Sequence, residues 1–302
     1  MMKYKKSIGI LVFIIAVLSL VVTLYAIFSN QGAGEYKYKS IFGETVSIYG
    51  KGLYQHDSVT MATQALAQDY VTLVLGIPLL LVSLNIARKG LLKGKLLLTG
   101  TLGYFLYTYT SYSFLAMYNS MFLIYILLMS ASFFAFTLMM ISFDIPSLPQ
   151  YFKKRFPAKF IGVFLLTVSC LFTLMWLGKI IVPLLHHSQP DGLEHYTTLT
   201  IQALDLGIVV PVSFLSGFLL IKRKPFGYLL ATVITMKEVT LLTALTAMIF
   251  LQIKAGIHIS PAVITLVLLL NIIILYIMFI IMKNVNEVTD TIHGKVYTAG
   301  GH

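Results

Sequence analysis

Cysteine, tryptophan and charge are all scarce in this sequence. One cysteine, Cys170, in 302 residues excludes an intrachain disulfide and any cysteine-based metal motif; within its apolar run it reads as a packing residue. Charged residues make up 11% of the chain, against about a quarter in soluble proteins, which excludes a soluble globular fold. Acidic residues number 11 against 22 basic ones. The resulting excess of positive charge does not describe a nucleic-acid surface, because Lys and Arg fall in short clusters between apolar runs instead of on one basic face. There is no Gly-rich phosphate loop, serine nucleophile elbow, pair of catalytic carboxylates or His-Glu-x-x-His helix motif. Gly32, Gly34, Gly50 and Gly52 lie in a loop and read as turn residues.

What is present is apolar. Hydrophobic residues are 58% of the chain and the mean hydropathy is +0.88. Runs of about 20 apolar residues, enough to cross a hydrocarbon layer of about 30 Å, recur along almost its whole length. They predict spans at 8–28, 69–87, 96–116, 120–142, 159–185, 199–221, 226–251 and 261–282. The expected fold is an all-α integral membrane protein, one transmembrane domain over residues 1–302 with about eight helices. The first span is too long for a signal-peptide core and has no small-x-small cleavage site, so it is read as a retained helix. A long loop is expected at 29–68, and a polar, mobile tail at 283–302.

The linkers set the orientation. Lys3, Lys5, Lys6, Arg88, Lys89, Lys93, Lys95, Lys153, Lys154, Arg155, Lys159, Lys222, Arg223, Lys224, Lys283 and Lys295 fall on one side, and only Lys37, Lys39, Lys51 and Lys254 on the other. Because positive residues are retained on the cytoplasmic side during insertion, both termini are expected in the cytoplasm, with the 29–68 loop outside the plasma membrane.

The halves resemble each other. Ala67, Gln68 and Asp69 enter a span that meets Pro78 and exits at a basic turn from Arg88; Ala203, Leu204 and Asp205 enter one that meets Pro211 and exits at Lys222 to Lys224. A parallel repeat of four spans plus four would place Asp69 and Asp205 at similar depth near the outer mouth.

Ionisable residues inside a bilayer need partners or water. Lys179 and Asp205 both lie about 9 Å deep, which makes an ion pair feasible. Lys237 and Glu238 sit near the centre of the seventh span, and adjacent helical residues point in different directions, so each is expected to address a different neighbouring helix. Tyr104 and Tyr107 are too deep for an interfacial belt; Tyr107 could share a site with Glu238. Tyr109, Tyr112 and Tyr118 fit an outer aromatic belt. Thr232, Thr235, Thr243 and Thr246 line one side of the seventh span and suit helix packing. In the outer segments, His56, Asp57, His187 and Glu194 form a weak candidate set of metal ligands or acid–base groups, and no metal is favoured.

The segments AQDYVTLVLGIPLLLVSL (67–84) and ALDLGIVVPVSFLSGFLL (203–220) resemble stretches of uncharacterised polytopic bacterial inner-membrane proteins. That resemblance implies a bacterial inner membrane and carries over no activity or functional residue. From the residues, the leading expectation is a transport or channel-like protein handling a small solute or ion at Asp69, Asp205, Lys179, Tyr107, Lys237 and Glu238. Its partners would be the lipid bilayer and that solute, with no nucleic acid, and no cofactor is specified. The alternatives are a membrane enzyme acting on a lipid-linked or periplasmic substrate, and a sensor or assembly partner.

Overall fold

The computed structural model describes residues 3–287. Eight long helices follow one another: α1 (Lys5–Phe28), α2 (Val59–Arg88), α3 (Leu92–Leu115), α4 (Phe122–Ile141), α5 (Ala158–Leu185), α6 (Thr200–Ile221), α7 (Pro225–Lys254) and α8 (Pro261–Asn284). Seven are both long and apolar enough to cross a membrane, so the chain is a polytopic all-α membrane protein. The remaining helix, α3, is 24 residues long but carries Lys93, Lys95 and four tyrosines. It packs against α2, α4 and α7 at the centre of the bundle, where its polar atoms face protein instead of lipid. The outward sides carry large exposed apolar residues such as Phe13, Phe133, Leu174 and Ile272, the surface a hydrocarbon solvent requires. Cys170 lies exposed on α5, contrary to the packing role expected for it.

Two boundaries depart from expectation. Helix α2 begins at Val59, ten residues before Asp69, because the Ser58 side chain caps it by accepting from the Met61 N–H at 3.1 Å. Asp69 is therefore about 15 Å along the helix axis and is not an entry residue, while the loop shortens to 29–58. That loop contains an antiparallel hairpin, β1 (Tyr36–Lys39) with β2 (Thr45–Ile48). It closes through Gly50, whose φ of +70° lets its backbone pass against Gly34 where a Cβ would collide with the Gly34 carbonyl.

The tail is held further than expected. The Asn286 N–H donates to the Tyr151 carbonyl at 2.7 Å, and the Lys153 N–H to that of Asn284 at 2.9 Å. The Glu287 carboxylate accepts the N–H groups of Leu92 and Lys93 at 2.7 and 2.9 Å, capping the N-terminus of α3. The rest of the tail, including Lys295, lies outside the described residues. Together with the Lys5 ammonium on the Arg88 carbonyl at 3.2 Å, these contacts gather the basic linkers on one face, the basic face. The opposite, loop face carries residues 29–58 and 186–199.

The repeat is written into the backbone. Helix α2 opens into a π-helical turn at Thr72–Gly76 and α6 into one at Asp205–Val209. A shift of 133 residues carries Thr72 onto Asp205, Pro78 onto Pro211, Ser83 onto Ser216 and Gly94 onto Gly227. The cause is local: each proline lacks the N–H that the carbonyl four residues earlier would accept, and a widened turn accommodates the gap. Burial follows the same register, with Leu80, Ser83, Leu84 and Ala87 matched by buried Ser213, Ser216, Gly217 and Leu220. Helix α5 repeats α1 at a shift of 153, which carries Ile8, Gly9, Val12 and Ala16 onto Ile161, Gly162, Leu165 and Ser169, all buried. One packing relation is not repeated. Helices α1 and α4 close the first half against each other, whereas α5 and α8 make no contact of comparable extent.

Candidate functional site

The proline register moves the two aspartates apart: Asp69 matches Gln202, and Asp205 matches Thr72. They are not equivalent residues at one depth, as pairing the aspartates had suggested, because the π turn and proline, not the carboxylates, are what the halves share.

In the first half the matched positions are neutral. The Tyr104 hydroxyl lies 2.7 Å from Thr72 Oγ1 and accepts from Gln68 Nε2 at 2.7 Å, and its ring meets Phe105 edge-on at 5.4 Å. Asp69 stands beside this group, 1% exposed, accepting from the Tyr54 hydroxyl at 2.6 Å and from Tyr112 at 3.4 Å. Tyr109 and Tyr112 pack with Tyr125 around it instead of joining an interfacial belt. Only Tyr118 of the expected belt is exposed, at 79%. Aromatic rings thus enclose the Asp69 carboxylate on the bundle side.

The second half replaces these neutral groups with charge: Asp205 for Thr72, Lys237 for Tyr104 and Glu238 for Phe105. Asp205, 6% exposed, accepts from the Tyr107 hydroxyl at 2.8 Å and from Trp176 Nε1 at 3.0 Å. The Lys237 ammonium sits 4.0 Å above the Tyr107 ring and bonds Glu238 at 3.1 Å. Lys237 thus addresses a tyrosine of the neighbouring α3, as expected, while its bond to Glu238 corrects the expectation that the two adjacent charges would not pair with each other. That bond is the one salt bridge among the described residues. The Asp205–Lys179 pair does not form either. Lys179 stands 5.7 Å from the Trp176 ring beside Gly192, and Trp176 occupies the place next to Asp205. Tyr107 accordingly donates to Asp205 and reaches Glu238 only through Lys237, which lies over its ring. The cluster thus holds two carboxyl side chains and one ammonium, which bonds Glu238 and not Asp205.

A cavity of about 40 Å³ adjoins this cluster, bordered by Asp205, Glu238, Ser169 and Ser213 and walled by apolar residues of α5 and α8. It lies where α5 and α8 fail to close as α1 and α4 do. The volume suits a water or a small ion.

The threonines of α7 serve packing. Thr232, Thr243 and Thr246 bond their own helix backbone, Thr246 also accepts from Asn271 of α8 at 2.9 Å, and Thr235 is buried.

On the loop face Asp57 joins three segments. Its Oδ1 accepts from the Met117 N–H at 3.1 Å and from the Tyr196 hydroxyl at 2.9 Å, while its Oδ2 is buried with no partner. His56 contributes its carbonyl, 3.1 Å from His195 Nε2, not its exposed ring, and His187 is exposed in a left-handed turn. Among the described residues no three His, Cys, Asp or Glu side chains gather to hold a metal ion. Burial pushes the Asp57 carboxyl up to about 6 despite the lowering by Met117 and Tyr196, and Glu194 adds to the rise. Burial also raises Tyr196.

A folded-state value above the unfolded one means that the folded protein binds the proton more tightly. Asp57 therefore favours folding most below about pH 4, and that contribution fades as pH rises to about 6. Asp57→Asn keeps one acceptor for both donors and puts an amide where Oδ2 has no partner. It is expected to stabilise the loop face at pH 7.5 by up to about 3 kcal/mol and to flatten the pH dependence. Thermal unfolding of both proteins from pH 4 to 8 checks this; parallel profiles would contradict it.

Tyr54, Trp176 and Tyr196 were not singled out by sequence. Of these only Trp176 left a signal, as the sole tryptophan, one helical turn before Lys179. Compared with known proteins, the chain matches no family model, no curated protein and no solved structure.

Proposed function

We propose that the protein is a bacterial inner-membrane carrier or channel for a small cation or protonated solute, with its working site in the second half of the repeat. The observation that carries this reading is the buried, cation-free Asp205 at the first residue of a π turn, with Glu238 across a small cavity. π turns and interrupted helices place backbone and charge where a transported ion is held, and intramembrane carboxylates mark ion and proton paths. The partners are the bilayer and the transported ion. In this reading the basic face is cytoplasmic, which the sixteen-to-four division of Lys and Arg supports.

The test is flux of protons, Na⁺ and K⁺ into proteoliposomes of the purified protein under an imposed gradient, followed with ion-sensitive dyes. Flux above that of empty liposomes for at least one of them, with saturation, is expected. Rates equal to empty liposomes for all three, and for simple amines, would remove the proposal.

A further inference from the structure

A larger cavity lies elsewhere. A pocket of about 500 Å³ opens on the loop face between the ends of α1 and α7 and the side of α2, beneath the loop that carries Lys51. Its charged groups are Lys51 and Lys254, and no acidic side chain lines it. The helix ends beside it are already closed by backbone bonds, from the Ser29 N–H to the Tyr25 carbonyl at 2.9 Å and from Ala255 to Leu251 at 2.9 Å. No acidic side chain of the lining offsets the two ammonium groups. Below them the wall turns apolar, through Phe28, Leu66 and Leu251, and Tyr70 of α2 stands 45% exposed on it.

Two cations above an apolar, tyrosine-bearing wall at the end of membrane helices match one chemical shape, a phosphate diester on an acyl chain. We propose that this pocket seats an anionic phospholipid of the loop-face leaflet, its phosphate between Lys51 and Lys254 and its upper chain along α2 and α7. Lysine stems lie along the apolar wall while their ammonium groups reach headgroup level. The position gives the lipid a structural reach. Tyr54 lines the pocket and donates its hydroxyl to Asp69, so an occupant packs directly over the segment that seals the first half.

The experiment uses the full chain in neutral detergent, with phosphatidylglycerol, phosphatidylcholine and free glycerol phosphate as probes, bound lipid counted by native mass spectrometry. Phosphatidylglycerol is expected to be retained over phosphatidylcholine by about thirtyfold, the preference two near-surface lysines supply. The pair Lys51→Gln with Lys254→Gln loses that preference, and Lys51→Arg with Lys254→Arg keeps it, which separates charge from folding damage. Equal retention by the Gln pair overturns the proposal. So does full competition by glycerol phosphate, which would make the ligand a soluble phosphate. Neither result depends on whether the chain carries ions, because the second-half site is untouched.

Discussion

Asp205→Asn is expected to abolish ion flux and to weaken cation binding by about a hundredfold or more, with the protein still folded. The size follows from charge. Two unit charges about 4 Å apart attract by about 4 kcal/mol at an effective dielectric near 20, and desolvation takes back part of that. Folding is spared because the amide oxygen still accepts from Tyr107, which donates to Asp205 at 2.8 Å. Trp176 Nε1 loses its acceptor, at a cost of about 1–3 kcal/mol, and removal of an unpaired buried charge offsets this. Glu238→Gln should act differently. It frees Lys237 from its 3.1 Å partner and leaves that ammonium to Asp205, so it should block flux by filling the site with the protein's own cation. Cation-dependent thermal shifts of the two variants check the distinction. A cation response in Asp205→Asn equal to the parent's would contradict it.

The second large effect is structural and tests the repeat. Gly94 and Gly227 occupy matched positions where α3 leaves α2 and α7 leaves α6. A Cβ on Gly94 would stand 2.5 Å from the Ile86 carbonyl carbon, and one on Gly227 the same 2.5 Å from that of Leu219. These neighbours are backbone and cannot swing aside. Gly94→Ala and Gly227→Ala should each destabilise by about 3 kcal/mol, the upper part of the usual range for overpacking. Gly178, with nothing within 4 Å of an added Cβ, should tolerate alanine within about 0.5 kcal/mol. Unfolding midpoints of the three proteins in one detergent decide the matter. Opposite behaviour of the two matched glycines would argue against equivalent crossings.

Composition and apolar run length made the fold legible, because hydrocarbon leaves few ways to satisfy a backbone. Boundaries failed where polar sequence continues a helix: Val59–Gln68 reads as loop until Ser58 is seen capping it and loop-face segments cover it. The prolines and the aspartates offered two registers for the repeat. Only the π turns show which one the backbone obeys. Asp205, Lys237, Glu238 and Tyr107 were found from sequence because charge and hydroxyl deep in an apolar helix stand out. Apart from Lys237 over Tyr107, their partners were not, since which of several nearby groups a long side chain meets is set by helix rotation, which hydropathy does not record. Trp176 displacing Lys179 from Asp205 is of that kind. So is Tyr54, which reaches Asp69 from a loop fifteen positions earlier.

The most direct test of the central claim compares Asp69→Asn with Asp205→Asn in the same proteoliposomes, orientation and imposed gradient. If the first half is a sealed counterpart and the second half the working site, Asp69→Asn conducts at a rate close to the parent protein and Asp205→Asn at the rate of empty liposomes. Loss of flux in Asp69→Asn with retention in Asp205→Asn, both proteins being folded, would place the path in the first half and contradict the account.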